Sequence, residues 1–462
     1  MTLTNDEIAQ LADEFATGDL AQRRPISDVG AWLNELHPMA RPALQALGEL
    51  LAGVSDHDRA ETADRFTARA LGVTDCGQLV DETRDLNAVS RLTSALALGE
   101  WINDHEHVCQ IGPGEYSNPP MWTQTEIGGE QYRHPLCLRV HFPAGSLLPD
   151  TGCVIKVETR ESYSHSAEVS AYVRPEHQTA ARVLLDRLAD RANALNPYRG
   201  RALRATNAYG LQLSVIDLPT AVNRSNVIVP QSVWTEVDLG IAAVRDCHGL
   251  LNAHGLGARR GVLLCGPPGT GKSAVSAVAA GEVVGDFTVI YVEAQAGAEL
   301  LTVVVEEAQR LGGPVLLVLE DVDLWCRDRS AGGGGLSELL QAMDIASDAR
   351  ILTLASTNDV GTLDKAAIRT GRFDSVVEVG YPDRVGAGRI LSAFLDDLPG
   401  GAGVNTEAVA AALPERTSGS DIREIIRRAL LAGNGEAIST AALLAEVGTG
   451  RYRAEPPGGM YL

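Results

Sequence analysis

The sequence predicts an α/β fold: an αβα domain around a parallel sheet with a small helical lid, preceded by a helical and an α+β N-terminal module. Three observations carry this. Between about residues 226 and 383, five short apolar runs alternate with helical segments, as a parallel βαβ sheet requires. Beyond Asp383 only helical periodicity remains. Upstream of 226, apolar residues at three-to-four spacing give way, past a Gly/Pro-rich break, to alternating β-branched runs.

In order, residues 1–104 are expected to be a helical module, on segments such as "ALQALGELLAGV" and "LNAVSRLTSALALGEWI". Residues 105–131 are expected to be a linker around "QIGPGEYSNPPMW". Residues 132–225 form the expected α+β module: "LCLRVHF", "CVIKVETR" and "AEVSAYV" as strands, "HQTAARVLLDRLADRANAL" as a helix, then a strand pair. The sheet domain covers 226–383 through "GVLLCG", "FTVIYVEA", "PVLLVLED", "ARILTLAST" and "SVVEVGY". The lid covers 384–450, and a flexible Gly/Pro tail covers 451–462.

At 462 residues the chain holds several domains, and 45% hydrophobic with 21% charged residues is ordinary globular composition. No apolar stretch approaches the roughly 18 residues of a membrane span. The start is acidic and amphipathic without a signal core, so a cytoplasmic location and no membrane partner are expected. A net charge of −21 disfavours a nucleic-acid partner gripped through its phosphates. Seven scattered cysteines fit reduced thiols better than a disulfide framework. The cluster "HEHVC" at His105–Cys109 lacks metal-site spacing and reads as loop residues.

The chemistry is concentrated in the sheet domain. "GPPGTGKS" sits between an apolar strand and a helix: Gly266, Pro267, Pro268, Gly269, Thr270, Gly271, Lys272 and Ser273, with Ala274 following. Such a loop curls backbone N–H groups around phosphate oxygens at a helix N-terminus. Lys272 is expected on the β- and γ-phosphates of ATP, and Ser273 on Mg²⁺. The strand "PVLLVL" ends in Glu320 and Asp321, at the sheet edge where ligands bind. Glu320 is expected to face Mg²⁺ through its waters, and Asp321 to orient or deprotonate the attacking water. Asn358 ends "ILTLASTND", placed to hold the γ-phosphate or water. Arg369 and Arg372, in "RTGRFD", are distant from the loop in sequence and are expected to serve a neighbouring subunit's nucleotide.

GPPGTGKS, LEDVD, STND, RTGRFD, YPD and "TSGSDIREIIRRA", in that order, resemble the classical AAA ATPase family (AAA+) over about residues 226–447. The resemblance implies a Mg²⁺-dependent ATPase with ATP at subunit interfaces of a homo-oligomeric, commonly hexameric ring acting on protein substrates. It implies Lys272 and Ser273 in Walker A, Glu320 and Asp321 in Walker B, Asn358 as sensor 1 and Arg369 and Arg372 as arginine fingers. Gly419 and Ser420, with Asp421, would lie near the adenine and ribose. The Glu-then-Asp order reverses the usual pattern, though it also occurs in some relatives.

Two features pull apart. Unfoldases of the family carry an aromatic–apolar–Gly pore loop after the second strand, whereas no aromatic residue lies between Tyr291 and the next strand here. A glycine-rich loop at 332–335 offers no grip instead. Against this, the ending Met460-Tyr461-Leu462 resembles the hydrophobic–Tyr–X tail by which proteasomal ATPase rings dock on the 20S core. The expectation is thus an ATP-driven protein remodeller with proteasome docking through its tail. The alternative is a nucleotide-switched assembly or scaffold ATPase without substrate threading.

Overall fold

The computed structural model describes residues 61–160, 166–207, 211–292, 298–323, 349–359 and 372–453. The helices expected before residue 61, the glycine-rich loop, Arg369 and Met460–Leu462 lie outside the described residues.

The N-terminal part is one α+β unit. Helix α1 (Ala63–Ala70) is capped by Thr62, whose hydroxyl accepts from the Arg65 N–H. Strand β1 (Val80–Asp85) and helix α2 (Ala88–Asp104) follow. Asn87 caps α2 in a reciprocal box with Ser90. Next come β2 (Gln110–Gly112), β3 (Met121–Ile127), β4 (Glu130–Phe142), β5 (Cys153–Glu158), β6 (Glu168–Val173) and helix α3 (Gln178–Ala194). The strands make an antiparallel sheet ordered β1-β6-β5-β4-β2, with β3 also on β4.

One face of this sheet packs Leu138, Val140, Ile155, Val157 and Ala171 against Leu98 and Trp101 of α2 and Leu184 and Leu188 of α3. The other face joins a small apolar cluster, Val154 with Phe66 and Leu71, to buried charged groups. Arg139 pairs with Lys156 and Lys156 with Ser170 in register. The buried Lys156 ammonium is held by Glu115 and Glu168, each at 2.7 Å.

Two expected boundaries are corrected by this sheet. Residues 105–131 are not a linker, because β2 and β3 pair with β4. The β3–β4 connection is Gly128-Gly129, both at positive φ (57° and 83°), the conformation a two-residue hairpin needs. Residues 1–104 are not all helical, because β1 is an edge strand on β6.

A second sheet holds β7 (Ala202–Asn207), β8 (Leu211–Val215), β9 (Arg260–Cys265), β10 (Thr288–Val292), β11 (Val315–Leu319), β12 (Ile351–Thr357) and β13 (Ser375–Glu378). Its order is β13-β9-β12-β11-β10-β7-β8, parallel throughout except for the β7–β8 pair. Helices α4 (Gln231–Arg245), α5 (His248–Ala253), α6 (Lys272–Val283) and α7 (Ala298–Leu311) belong with it. All five side chains of β11 are buried, alternating between two cores. Leu317 packs with the α7 side chains Val304 and Ala308, while Val318 packs with Val278 of α6 and Val237 of α4. Each such burial contributes about 2 kcal/mol.

Here too a boundary moves. Strands β7 and β8 were expected to complete the α+β module, but β7 pairs in parallel with β10 and extends the parallel sheet. Val89 and Leu92 of α2 share the core of that sheet with Leu203 of β7 and Leu211 of β8. The hydrophobic interior therefore runs unbroken between the two sheets.

The lid comprises α8 (Arg384–Leu395), α9 (Thr406–Ala412), α10 (Gly419–Ala432) and α11 (Thr440–Thr449) around Leu391, Val409, Ile422, Ile425 and Leu443. Asp383, Asn405, Ser418 and Ser439 cap the four N-termini.

Candidate functional site: a cleft between loop and lid

Strand β9 is apolar and buried, and the loop leaving it must turn sharply before α6 begins. Gly266 sits at φ 148°, and a Cβ there would lie 2.2 Å from the Val379 carbonyl oxygen. Gly269 sits at φ 77°, and a Cβ there would lie 2.0 Å from the Ser420 Oγ. Only glycine fits at either position. No side chain caps the α6 N-terminus, so its first N–H groups are left to a ligand.

The lid is fastened to this loop. The Ser420 N–H donates to the Gly269 carbonyl at 3.1 Å, and the Ser418 and Ser420 hydroxyls lie 2.9 Å apart. Ser418 caps α10 in a reciprocal box with Asp421, fixing that end of the lid.

Between loop and lid lies a cleft of about 660 Å³. Pro268, Gly269, Thr270, Gly271, Lys272, Ser273 and Ala274 line one side, and Gly419 and Ser420 the lid side. Asp321 and Asn358 close its sheet end. Gly266 and Pro267 take part through their carbonyls, which accept from the Lys272 ammonium at 2.8 Å each.

A chain of contacts joins these groups. The Lys272 Nζ also donates to the Asn358 Oδ1 at 2.9 Å. The Asn358 Nδ2 in turn donates to the Asp321 Oδ1 at 3.0 Å. Both ends of the Asn358 amide are thus engaged, and its orientation is fixed by opposite partners. Burial lowers the Lys272 pKa, partly countered by Asp321 and Asp323.

The acids divide unexpectedly. Asp321 faces the cleft at a positive φ of 49°, a strained setting for a residue with a side chain, and the Ser356 hydroxyl accepts from its N–H at 3.2 Å. Glu320, expected to face the metal, does not line the cleft. Its charge instead adds to the burial that pushes the Tyr291 hydroxyl up to about 12, toward β10. Both acids lie beyond the end of β11, and of the two only Asp321 lines the cleft.

Sequence reasoning missed Asp323, Ser356 and the apolar wall. Asp323 is buried and accepts from the Asn358 N–H at 3.2 Å and the Thr357 hydroxyl at 3.3 Å, fixing the end of β12. Two residues after Asp321, it was visible only as one more acid. Val227, Ile228, Ile390 and Phe394 line the cleft away from the loop, and nothing in their chemistry marks them in a sequence. Arg372 does not line the cleft.

The lining fits a nucleotide: a donor-rich loop with a cation at one end and an apolar wall at the other, in a volume typical of small-molecule sites. Ser273 and Asp321 are the lining oxygen donors suited to Mg²⁺.

Residues 262–381 match the family described as "ATPase family associated with various cellular activities (AAA)". The chain is also similar to proteins named ATP-dependent zinc metalloprotease FtsH. It is 34% identical over 195 residues to that of Cupriavidus metallidurans, covering 38% of this chain and 29% of the relative. For Bacillus subtilis the figures are 34% over 195 residues, 38% and 30%. For Rhodococcus erythropolis they are 36% over 211 residues, 41% and 24%. The chain thus spans less than a third of the length of these curated relatives. Residues 262–381, which carry the GPPGTGKS loop, Asp321 and Asn358, therefore form an AAA ATPase domain.

Proposed function

We propose that this chain binds ATP with Mg²⁺ in the loop–lid cleft, hydrolyses it as part of a homo-oligomeric ring, and uses the cycle to remodel protein substrates. The observation that carries this reading is the Lys272–Asn358–Asp321 chain of hydrogen bonds inside the cleft. Bound ATP supplies the phosphoanhydride, and Mg²⁺ neutralises charge on it.

The protein's own groups do the rest. The α6 N-terminus and the loop amides hold phosphate oxygens, and the Lys272 ammonium exchanges its carbonyl partners for phosphate. Ser273 and Asp321 hold the metal or its waters. Asp321, steered by the Asn358 amide, accepts the proton of the attacking water. Val227, Ile228, Ile390 and Phe394 receive the base, and the Ser420–Gly269 contact lets the lid sense whether the loop is filled. Arg369 and Arg372 act on the neighbour's nucleotide in a ring whose expected size is six.

The relatives' names pair ATP dependence with proteolysis, which supports protein substrates for this chain. The finer reading, docking of Met460, Tyr461 and Leu462 on a 20S proteasome core, rests on the sequence of the tail. A second reading, a nucleotide-switched assembly factor without threading, is favoured by one observation: no aromatic residue between Tyr291 and β11 to grip a chain.

ATPase assays and electron microscopy with purified 20S core test these together. Hydrolysis lost in Lys272→Ala, and core binding lost on removing Met460–Leu462, are expected. Hydrolysis with no unfolding of a tagged substrate would favour the switch. Unchanged core binding without the three residues would end the docking idea.

A further inference from the structure

The loop–lid cleft has two cations in its lining, Lys272 from the loop and Arg423 from α10 of the lid, and the reading above uses only the first. They stand in opposite circumstances. Lys272 is buried and donates to the Gly266 and Pro267 carbonyls and to Asn358. Arg423 is exposed, and among the described residues no hydrogen bond, ion pair or ring contact reaches its guanidinium.

The other arginines of α10 are paired. Arg427 meets Glu424 at 3.1 Å, and Arg428 meets Glu446 at 3.4 Å. The acids of α10 are taken as well, since Asp421 accepts from the Ser418 N–H and lies 3.6 Å from the Arg453 Nε. The amide of Asn226, also in the lining, is engaged at both ends by the Asn223 N–H and the Ala221 carbonyl. Arg423 is therefore the planar donor of the lining that the described residues leave to a ligand.

Its position on α10 indicates which part of a ligand it meets. The Ser420 N–H holds the Gly269 carbonyl, and a Cβ on Gly419 would lie 3.4 Å from that oxygen and 4.0 Å from the Ile390 Cδ1. Residues three and four apart share one face of a helix, so Arg423 follows these two on the cleft side. It stands one turn, about 5.4 Å, beyond the contact with the loop. Away from the loop the lining is apolar, and Phe394 there leaves a ring 41% exposed.

We propose that Arg423 grips the base of the bound nucleotide, its guanidinium stacked on one face of the purine while the apolar wall takes the other. This rests on the reading of the cleft as an ATP site. A guanidinium is planar, delocalised and weakly hydrated, so it stacks on aromatic faces where an ammonium does not. Such a contact is blind to the number of phosphates. The lid therefore holds ATP and ADP alike, and the product is retained until the lid moves.

Calorimetric titration of the full chain tests this with ATP, ADP and ribose 5-triphosphate, which keeps sugar and phosphates and lacks the base. Arg423→Ala is expected to weaken ATP and ADP by the same factor, about tenfold. Ribose 5-triphosphate binds the intact chain more weakly than ATP does, and binds the variant equally well. Arg423→Lys keeps the charge without the plane and stays about fivefold weaker than the intact chain for ATP. The unfolding midpoints of the nucleotide-free chains stay equal, because the exposed side chain holds nothing among the described residues. Unchanged ATP affinity in Arg423→Ala overturns the proposal. So does full recovery in Arg423→Lys, or a loss for ribose 5-triphosphate as large as for ATP, either of which makes the guanidinium a phosphate or sugar contact. No ATP binding by the intact chain would instead end the reading of the cleft itself.

Discussion

The two sheets solve the same problem in opposite ways. The central strands of the parallel sheet are buried on both faces, so β11 is a continuous apolar run and β12 admits only small hydroxyl side chains, with the charged residues beyond the strand ends. There Asp321, Asp323 and Asn358 are gathered beside Lys272. The antiparallel sheet packs an apolar core on one face and pairs buried charges on the other, where Arg139, Lys156, Glu115 and Glu168 hold one another. The first arrangement gathers polar groups at one edge beside a cleft; the second pairs them across a sheet face. A cleft lined by these groups follows from the first and a buried ion-paired layer from the second.

Substitutions in each sheet break this contrast in different observables. Lys272→Ala is expected to lower ATP hydrolysis about a thousandfold while leaving the unfolding midpoint nearly unchanged, because the lost contacts face a cleft. Leu317→Ala, in the fully buried β11, costs about 3 kcal/mol of stability, read by urea unfolding. Lys156→Ala leaves Glu115 and Glu168 without their shared cation and costs about 2 kcal/mol, with ATP hydrolysis unaltered. A fall in hydrolysis there would show that the polar face feeds the active edge.

Asp323→Ala frees the Asn358 N–H and Thr357 hydroxyl, and lowers kcat about tenfold with KM nearly constant. An equal loss in KM would make Asp323 a binding group. The smallest effect is on pH. Burial holds the His134 pKa below its ordinary 6.5, so as pH falls the unfolded chain takes up a proton first. Stability is full above pH 6.5 and is lost as pH drops below it. His141 shifts the same way, while Glu307, raised by burial, takes up its proton first in the folded chain and opposes them. His134→Gln removes its share of the slope; an unchanged slope contradicts the assignment.

The same contrast explains what could be read in advance. Strands β9 to β12 were legible because double burial writes runs dominated by Val, Ile and Leu, and GPPGTGKS needs no partner to be recognised. The antiparallel edges were not. "VDETRD" of β1 alternates half-buried and exposed side chains and carries no apolar stripe. The Gly128-Gly129 hairpin, a strong local signal, was masked by the Gly/Pro-rich stretch before it. Strands β7 and β8 read correctly as strands, but periodicity tells which residues are extended and not which sheet receives them. In the cleft, the residue types were legible, while the separation of Glu320 from Asp321 depends on backbone direction at one strand end. Ser356, Asp323 and the apolar wall become visible only once loop, sheet and lid are brought together.

The central claim is that the loop–lid cleft holds ATP. Calorimetric titration of the full chain with ATP and Mg²⁺ tests it most directly. The account predicts one ATP per chain, with binding weakened at least about a hundredfold in Lys272→Ala. Absence of binding in the intact chain, or equal affinity in the variant, would contradict it.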